Sequence, residues 1–126
     1  NDVVPTVIHV AALQNITVFL IPYLKKLQAE LDRKTNEFMP IVKTGRTHLQ
    51  DATPIRLGQE FNGYSGQIER SIRMLVDVKK VLAEVPLGGT AVGTGVNTHA
   101  EFAQRVCEKI SERLGINQGT GTWFIS

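Results

Sequence analysis

Leu13, Ile16, Leu20, Leu24, Leu27 and Leu31 recur every three or four residues, the period that places side chains on one face of an α-helix. A longer series runs through Leu57, Phe61, Tyr64, Ile68, Ile72, Leu75, Leu82 and Val85, and a shorter one through Phe102, Val106, Ile110 and Leu114. These stripes predict an all-α chain of three helical segments. The first two helices would each run roughly 45–50 Å at about 1.5 Å per residue. A compact globule of this chain length has a diameter of only about 36 Å. Helices that overshoot their own globule must lay their apolar faces on something else. Long seams of this spacing point to the same helices in other subunits, so a long-helix bundle in a homo-oligomer is expected.

Local signals suggest where the helices begin and end. Asp2 is a candidate N-cap of the first helix, and Glu30 and Lys34 form a favourable i,i+4 pair. Pro22 removes one helical hydrogen bond and predicts a bend, since the periodicity resumes beyond it. Thr53-Pro54 reads as the start of the second helix, a hydroxyl cap followed by Pro at the first helical position. Gly58, Gly63 and Gly66 would weaken an isolated helix and suggest close approach of a neighbouring backbone. Pro86 and the glycines after it end that helix. Thr98-His99-Ala100-Glu101 has the pattern of a capping box, and Gly115 is placed to close the third helix. The expected organisation is one helical domain over residues 1–115 and a divergent tail over 116–126.

Composition excludes several classes of function. The formal charge of +2 is too small for a nucleic-acid binder, and Lys25-Lys26 and Lys79-Lys80 read as solvated helix faces. The single cysteine, Cys107, excludes an internal disulfide and a Cys-based zinc site, and its position on the apolar side of a helix predicts a core residue. The apolar run Ile16 to Leu24 is interrupted by Thr17 and Pro22 and falls short of the ~20 residues of a membrane span. No signal peptide is expected ahead of it. No membrane or nucleic-acid partner is therefore expected. A chain that starts at Asn1 rather than Met is expected to be processed or excised from a longer one.

Two segments could carry chemistry. Thr44-Gly45-Arg46-Thr47-His48-Leu49-Gln50-Asp51-Ala52-Thr53-Pro54 is polar and Gly-broken, hence a surface or cleft segment. His48 is its one side chain able to exchange a proton near neutral pH without special tuning. Arg46 suits a dicarboxylate, or equally an ion pair with Asp51 that braces the loop. The second segment, Leu87 to Thr98, is Gly-rich and precedes a helix. Such loops can cradle anions with their N–H groups. It lacks the Lys of a P-loop and no strand precedes it, so a tight connection between packed helices is the better reading. His9 reads as a satisfied core or interface histidine and His99 as a first-turn helix residue. Three scattered histidines with no carboxylate at matching spacing do not suggest a metal site.

Three stretches resemble the fumarase/aspartase superfamily in order and spacing. They are Asn1-Asp2-Val3-Val4-Pro5-Thr6, Gly45 to Pro54 with Leu57-Gly58-Gln59-Glu60, and Leu87 to Asn97. Within that superfamily, His48 followed by Asp51-Ala52-Thr53-Pro54 is similar to the class II fumarases, whereas aspartases carry Gln at the position of His48. The resemblance implies long helices contributed to the central bundle of a homotetramer, with active sites assembled from several subunits. It further implies reversible hydration of fumarate to L-malate, with no metal or organic cofactor, in the cytoplasm or mitochondria. Matched position by position, Asn1 would hydrogen-bond a substrate carboxylate, Thr47 would bind substrate through its hydroxyl, and His48 would handle the proton of the water or hydroxyl. The family's serine-bearing flexible loop and its N-terminal Ser/Thr ligands have no counterpart here, so the chain by itself is expected to be inactive. Residues 116–126 do not resemble the family's continuation. Two rival readings stand beside this one: an aspartase-type or other lyase of the superfamily, and a non-catalytic helical assembly module.

Overall fold

The computed structural model describes residues 2–115 and 124–125. Helix α1 (Val3–Asn15) passes through a π-helical turn (Ile16–Leu20) into α2 (Ile21–Phe38). Strands β1 (Val42–Thr47) and β2 (Gln50–Arg56) form an antiparallel hairpin, and α3 (Leu57–Leu82) follows. The two-residue β3 (Glu84–Val85), α4 (Phe102–Leu114) and β4 (Phe124–Ile125) complete the order, with β3 and β4 paired in parallel. The fold is thus mainly helical, as the stripes predict, with a hairpin that they do not. Residues 116–123 and 126 of the expected tail, like Asn1, lie outside the described residues.

Pro22 is accommodated without ending the helix. Its ring has no N–H to offer the Val18 carbonyl and would crowd it in a regular turn. The wider π-helical turn over Ile16–Leu20 falls where that clash would arise.

The chain divides into two compact units, Ile21–Met74 and the remainder. In the first, α2 and the N-terminal part of α3 approach closely at Gly58. A Cβ there would lie 2.5 Å from the Thr35 carbonyl oxygen and 2.8 Å from the Met39 backbone. Phe38 and Phe61 meet edge to face at 5.0 Å, and the Ser65 hydroxyl donates to Asp32 Oδ1 at 2.5 Å. Gly58 therefore serves close approach as expected, whereas a side chain at Gly63 or Gly66 would meet nothing within 4 Å. Along α2, Glu30 bonds Arg33 rather than Lys34, and Lys34 turns to Glu37. The Arg33 fork is responsible: it reaches both Glu30 and Glu37 from the turn between them.

In the second unit the core is Leu13, Ala83, Val85, Leu87 and Cys107, with Val10, Leu82, Val106, Ile110 and Leu114 packed against it. Burial pushes the Cys107 thiol pKa up, as befits a small core residue and not a reactive one. His9 Nδ1–H donates to the Glu84 carbonyl at 2.8 Å. Helix α3 ends at Leu82, so Val85 belongs to β3 and not to the helix stripe. Helix α4 ends on Gly115 in the left-handed conformation, as its sequence predicts.

The capping box is not formed. Helix α4 starts at Phe102 after Glu101, with no side-chain cap bond. Residues 98–101 are used by a turn: the Glu101 N–H donates to His99 Nδ1, and the Phe102 N–H to the His99 carbonyl. Glu101 instead pairs with Arg105 one turn later. His99 accordingly precedes the helix and does not belong to its first turn.

Candidate active site

The segment around His48 is a β-hairpin. Thr53 and Pro54, read from sequence as a helix start, lie in β2, with Pro54 opposite Thr44. The residue preceding Pro is pushed towards extended backbone, which suits a strand as well as a cap. The true start of α3 is marked by Gln59, whose Oε1 accepts from the Arg56 N–H at 2.8 Å. The register slips between Thr44 and Arg46, so Gly45 faces both Ala52 and Thr53, a β-bulge. Only glycine fits, because a Cβ at residue 45 would lie 2.5 Å from the Thr53 carbonyl oxygen.

Thr47 pairs with Gln50, which leaves His48 and Leu49 as the two residues of the turn. Both have positive φ, 48° and 60°. A two-residue hairpin turn with both central residues left-handed is the I′ type, which ordinarily takes Asn-Gly. A non-glycine residue there costs about 1–2 kcal/mol. Among the described residues no packing offsets this at Leu49, which is 97% exposed. The turn holds the His48 imidazole at the end of the ribbon, with the Thr47 hydroxyl at the adjoining position. Arg46 Nε and Asp51 Oδ1 close the ribbon at 3.2 Å. Lys43 and Glu60, 2.9 Å apart, tie its base to the first turn of α3. Arg46 is thus engaged as a brace, one of the two roles its sequence allowed.

The Gly-rich segment does point N–H groups at an anion, and the anion belongs to the chain itself. Asp2 Oδ2 accepts from the Gly88 N–H at 2.9 Å and the Thr90 N–H at 3.4 Å. The Gly88 N–H, foremost, holds the Asp2 carboxyl below its usual range. Asp2 therefore occupies the cap position of α1 without capping it. Gly88 has φ 93°, and a Cβ on it would come within 2.7 Å of Ala103 Cβ. This supports a tight connection packed on α4 and supplies no vacant phosphate cradle. The Asp2 contact spans 86 residues, and no spacing rule could have signalled it.

Of the residues matched by resemblance, Thr47 and His48 lie together at the hairpin turn, and Asn1 falls outside the described residues. The chain belongs to the lyase family, whose model matches residues 1–124. It is 53% identical over 116 residues to the class II fumarate hydratase of Neisseria meningitidis and 54% identical over 116 residues to that of Halobacterium salinarum. Each alignment covers 92% of this chain and 25% of the relative. A recombinant class II fumarase from Schistosoma mansoni has a crystal structure that matches with a TM-score of 0.80 and 31% identity, over 99% of this chain and 28% of that one. The chain thus spans about a quarter of the length of the curated relatives it matches.

Proposed function

We propose that this chain is the central segment of a class II fumarate hydratase, which interconverts fumarate and L-malate within a longer protein. The observation that carries the reading is the hairpin turn, which presents Thr47 and His48 in a strained, exposed and braced geometry. Strain of this kind persists where surrounding structure imposes it, and it gathers at functional sites. The relatives at about half identity bear names that agree with it.

The chemistry follows from the reaction. Removal of the C3 proton of malate drives negative charge onto the neighbouring carboxylate, and the departing hydroxyl needs a proton. Oriented hydrogen-bond donors answer the first need and a general acid the second. Asn1 and Thr47 supply donors to the substrate, and His48, directly or through a water, moves the hydroxyl proton. An aspartase would use the same frame with another group at residue 48.

The full site would be shared among copies, as a bundle of long helices in a homotetramer. Its support is the apolar surface left open: Val3, Val4, Val7 and Ile8 on α1, and Met74, Val78 and Val81 on α3, are all exposed. One observation favours a second reading. The helical run Val3–Phe38 holds a window of mean hydropathy 1.7, long and apolar enough by composition to cross a membrane. An uninterrupted apolar run is too narrow a criterion to detect it. A defined oligomer sedimenting in detergent-free buffer supports the bundle, while recovery only with lipid or detergent supports the membrane.

The deciding experiment is His48→Asn in the full-length enzyme. General acid–base groups contribute about 10²–10⁴-fold, so kcat should fall by about that factor with the oligomer intact. Near-normal kcat would remove the role given to His48. The chain as it stands should not hydrate fumarate, and sustained fumarate formation from malate by it would relocate the chemistry.

A further inference from the structure

The hairpin brings a second polar side chain to its outer end beside Thr47. Residues paired directly across an antiparallel ribbon place their side chains on one face, with Cβ atoms about 4.5–5.5 Å apart. Gln50 is the partner of Thr47, and both are exposed. The adjoining pair, Arg46 and Asp51, points to the opposite face, where its two charges meet each other at 3.2 Å. The neighbour of the Thr47 hydroxyl across the ribbon is thus a neutral amide.

This pairing is a consequence of the bulge. At the base of the ribbon Val42 faces Arg56, Lys43 faces Ile55 and Thr44 faces Pro54. Continued without interruption, that register would set Thr47 against Asp51. The extra residue opposite Gly45 moves the register by one. Gln50 then stands opposite Thr47, and Asp51 falls opposite Arg46, which neutralises it. Stability alone does not account for the shift, since the turn that results holds two non-glycine residues at positive φ. Its chemical effect is specific: a carboxylate beside Thr47 would repel a dicarboxylate, whereas an amide can donate to one.

We infer that Gln50 is a further substrate-binding residue, its amide N–H group donating to the same substrate carboxylate as the Thr47 hydroxyl. A carboxylate presents two oxygens, and two donors at cross-strand spacing can serve one each. The inference rests on the proposed hydratase reading and on the role it gives Thr47.

The test is Gln50→Ala and Gln50→Glu in the full-length enzyme, with kcat and KM for malate measured separately. Calorimetry gives the affinity for succinate, a dicarboxylate with neither the hydroxyl nor the double bond to react. Assembly and melting temperature are followed alongside. A hydrogen bond to a charged group is worth roughly 10–100-fold, so Gln50→Ala should raise KM and the succinate Kd by about that factor. Because Gln50 is exposed, assembly and melting temperature should not move. Gln50→Glu keeps the size but replaces a donor by a charge of the substrate's own sign, so its loss should exceed that of Gln50→Ala. It also carries the test if Gln50→Ala fails to fold. Unchanged KM and succinate affinity in Gln50→Ala would overturn the inference while leaving fumarate hydration and the role of Thr47 standing. A Gln50→Glu loss no greater than that of Gln50→Ala would do the same, as would losses that merely track melting temperature. A full-length wild type inactive on malate, or a normal Thr47→Ala, would remove the underlying reading and the inference with it.

Discussion

Arg46 Nε lies 3.2 Å from Asp51 Oδ1, joining the two strands one residue pair before the turn that carries His48. Both side chains are about three-quarters exposed, at 72% and 75%. Solvent and salt screen such a pair, which is worth about 0.2–1 kcal/mol. Arg46→Gln should therefore lower stability by less than about 1 kcal/mol, with the difference shrinking at high salt. Denaturant midpoints at two ionic strengths check this, and a large salt-independent loss would assign Arg46 another partner.

Leu49 offers a sharper test of strain. It is 97% exposed and sits at φ 60°, so Leu49→Gly removes a steric penalty and little packing. The expected outcome is a gain of roughly 0.5–1 kcal/mol, the relief being partly offset by the unfolded-state freedom of glycine. A lower melting temperature would mean that Leu49 packs on a neighbouring copy.

Two glycines of α3 should respond in opposite directions. Gly58→Ala forces a Cβ to 2.5 Å from the Thr35 carbonyl and should destabilise by about 1–3 kcal/mol, the usual range for overpacking. Gly63→Ala meets nothing within 4 Å and should stabilise by up to about 1 kcal/mol through helix propensity. Equal effects in thermal melts would contradict the packing of α2 on α3.

Asp2 predicts a pH dependence. Hydrogen bonding, led by the Gly88 N–H, lowers its pKa below the ordinary value of 3.8. The unfolded chain then binds the proton first as pH falls. The contribution is complete above the ordinary value and is lost on acidification through the lowered one. Acid titrations of the wild type and Asp2→Asn should differ most above pH 3.8 and converge below it. A constant gap at all pH values would mean that the carboxylate charge is not what is held.

At the start of α4 the absence of a side-chain cap bond makes Thr98→Ala close to neutral, within about 0.5 kcal/mol. The full loss of an N-cap, about 1 kcal/mol, in a urea melt would restore the capping box.

The sequence alone determined what depends on neighbours a turn apart. The 3/4-spaced stripes gave the helices their positions, Gly115 its left-handed close, and Cys107 its place in the core. Pro22 signalled an irregularity, which a π-helical turn absorbs. His48 and Thr47 were legible as a polar surface motif, because polar, Gly-broken chain cannot be buried cheaply. Tertiary structure decided the rest. The hairpin was hidden because most of its strand residues are exposed on both faces, so no apolar alternation marked it. Its register and the left-handed turn at His48-Leu49 depend on pairing across the strands, which composition does not encode. Asp2 chose two N–H groups 86 and 88 residues away over the local cap it was placed to make. Local rules list the partners within reach along the chain; only the packed chain brings a distant turn closer than the helix end.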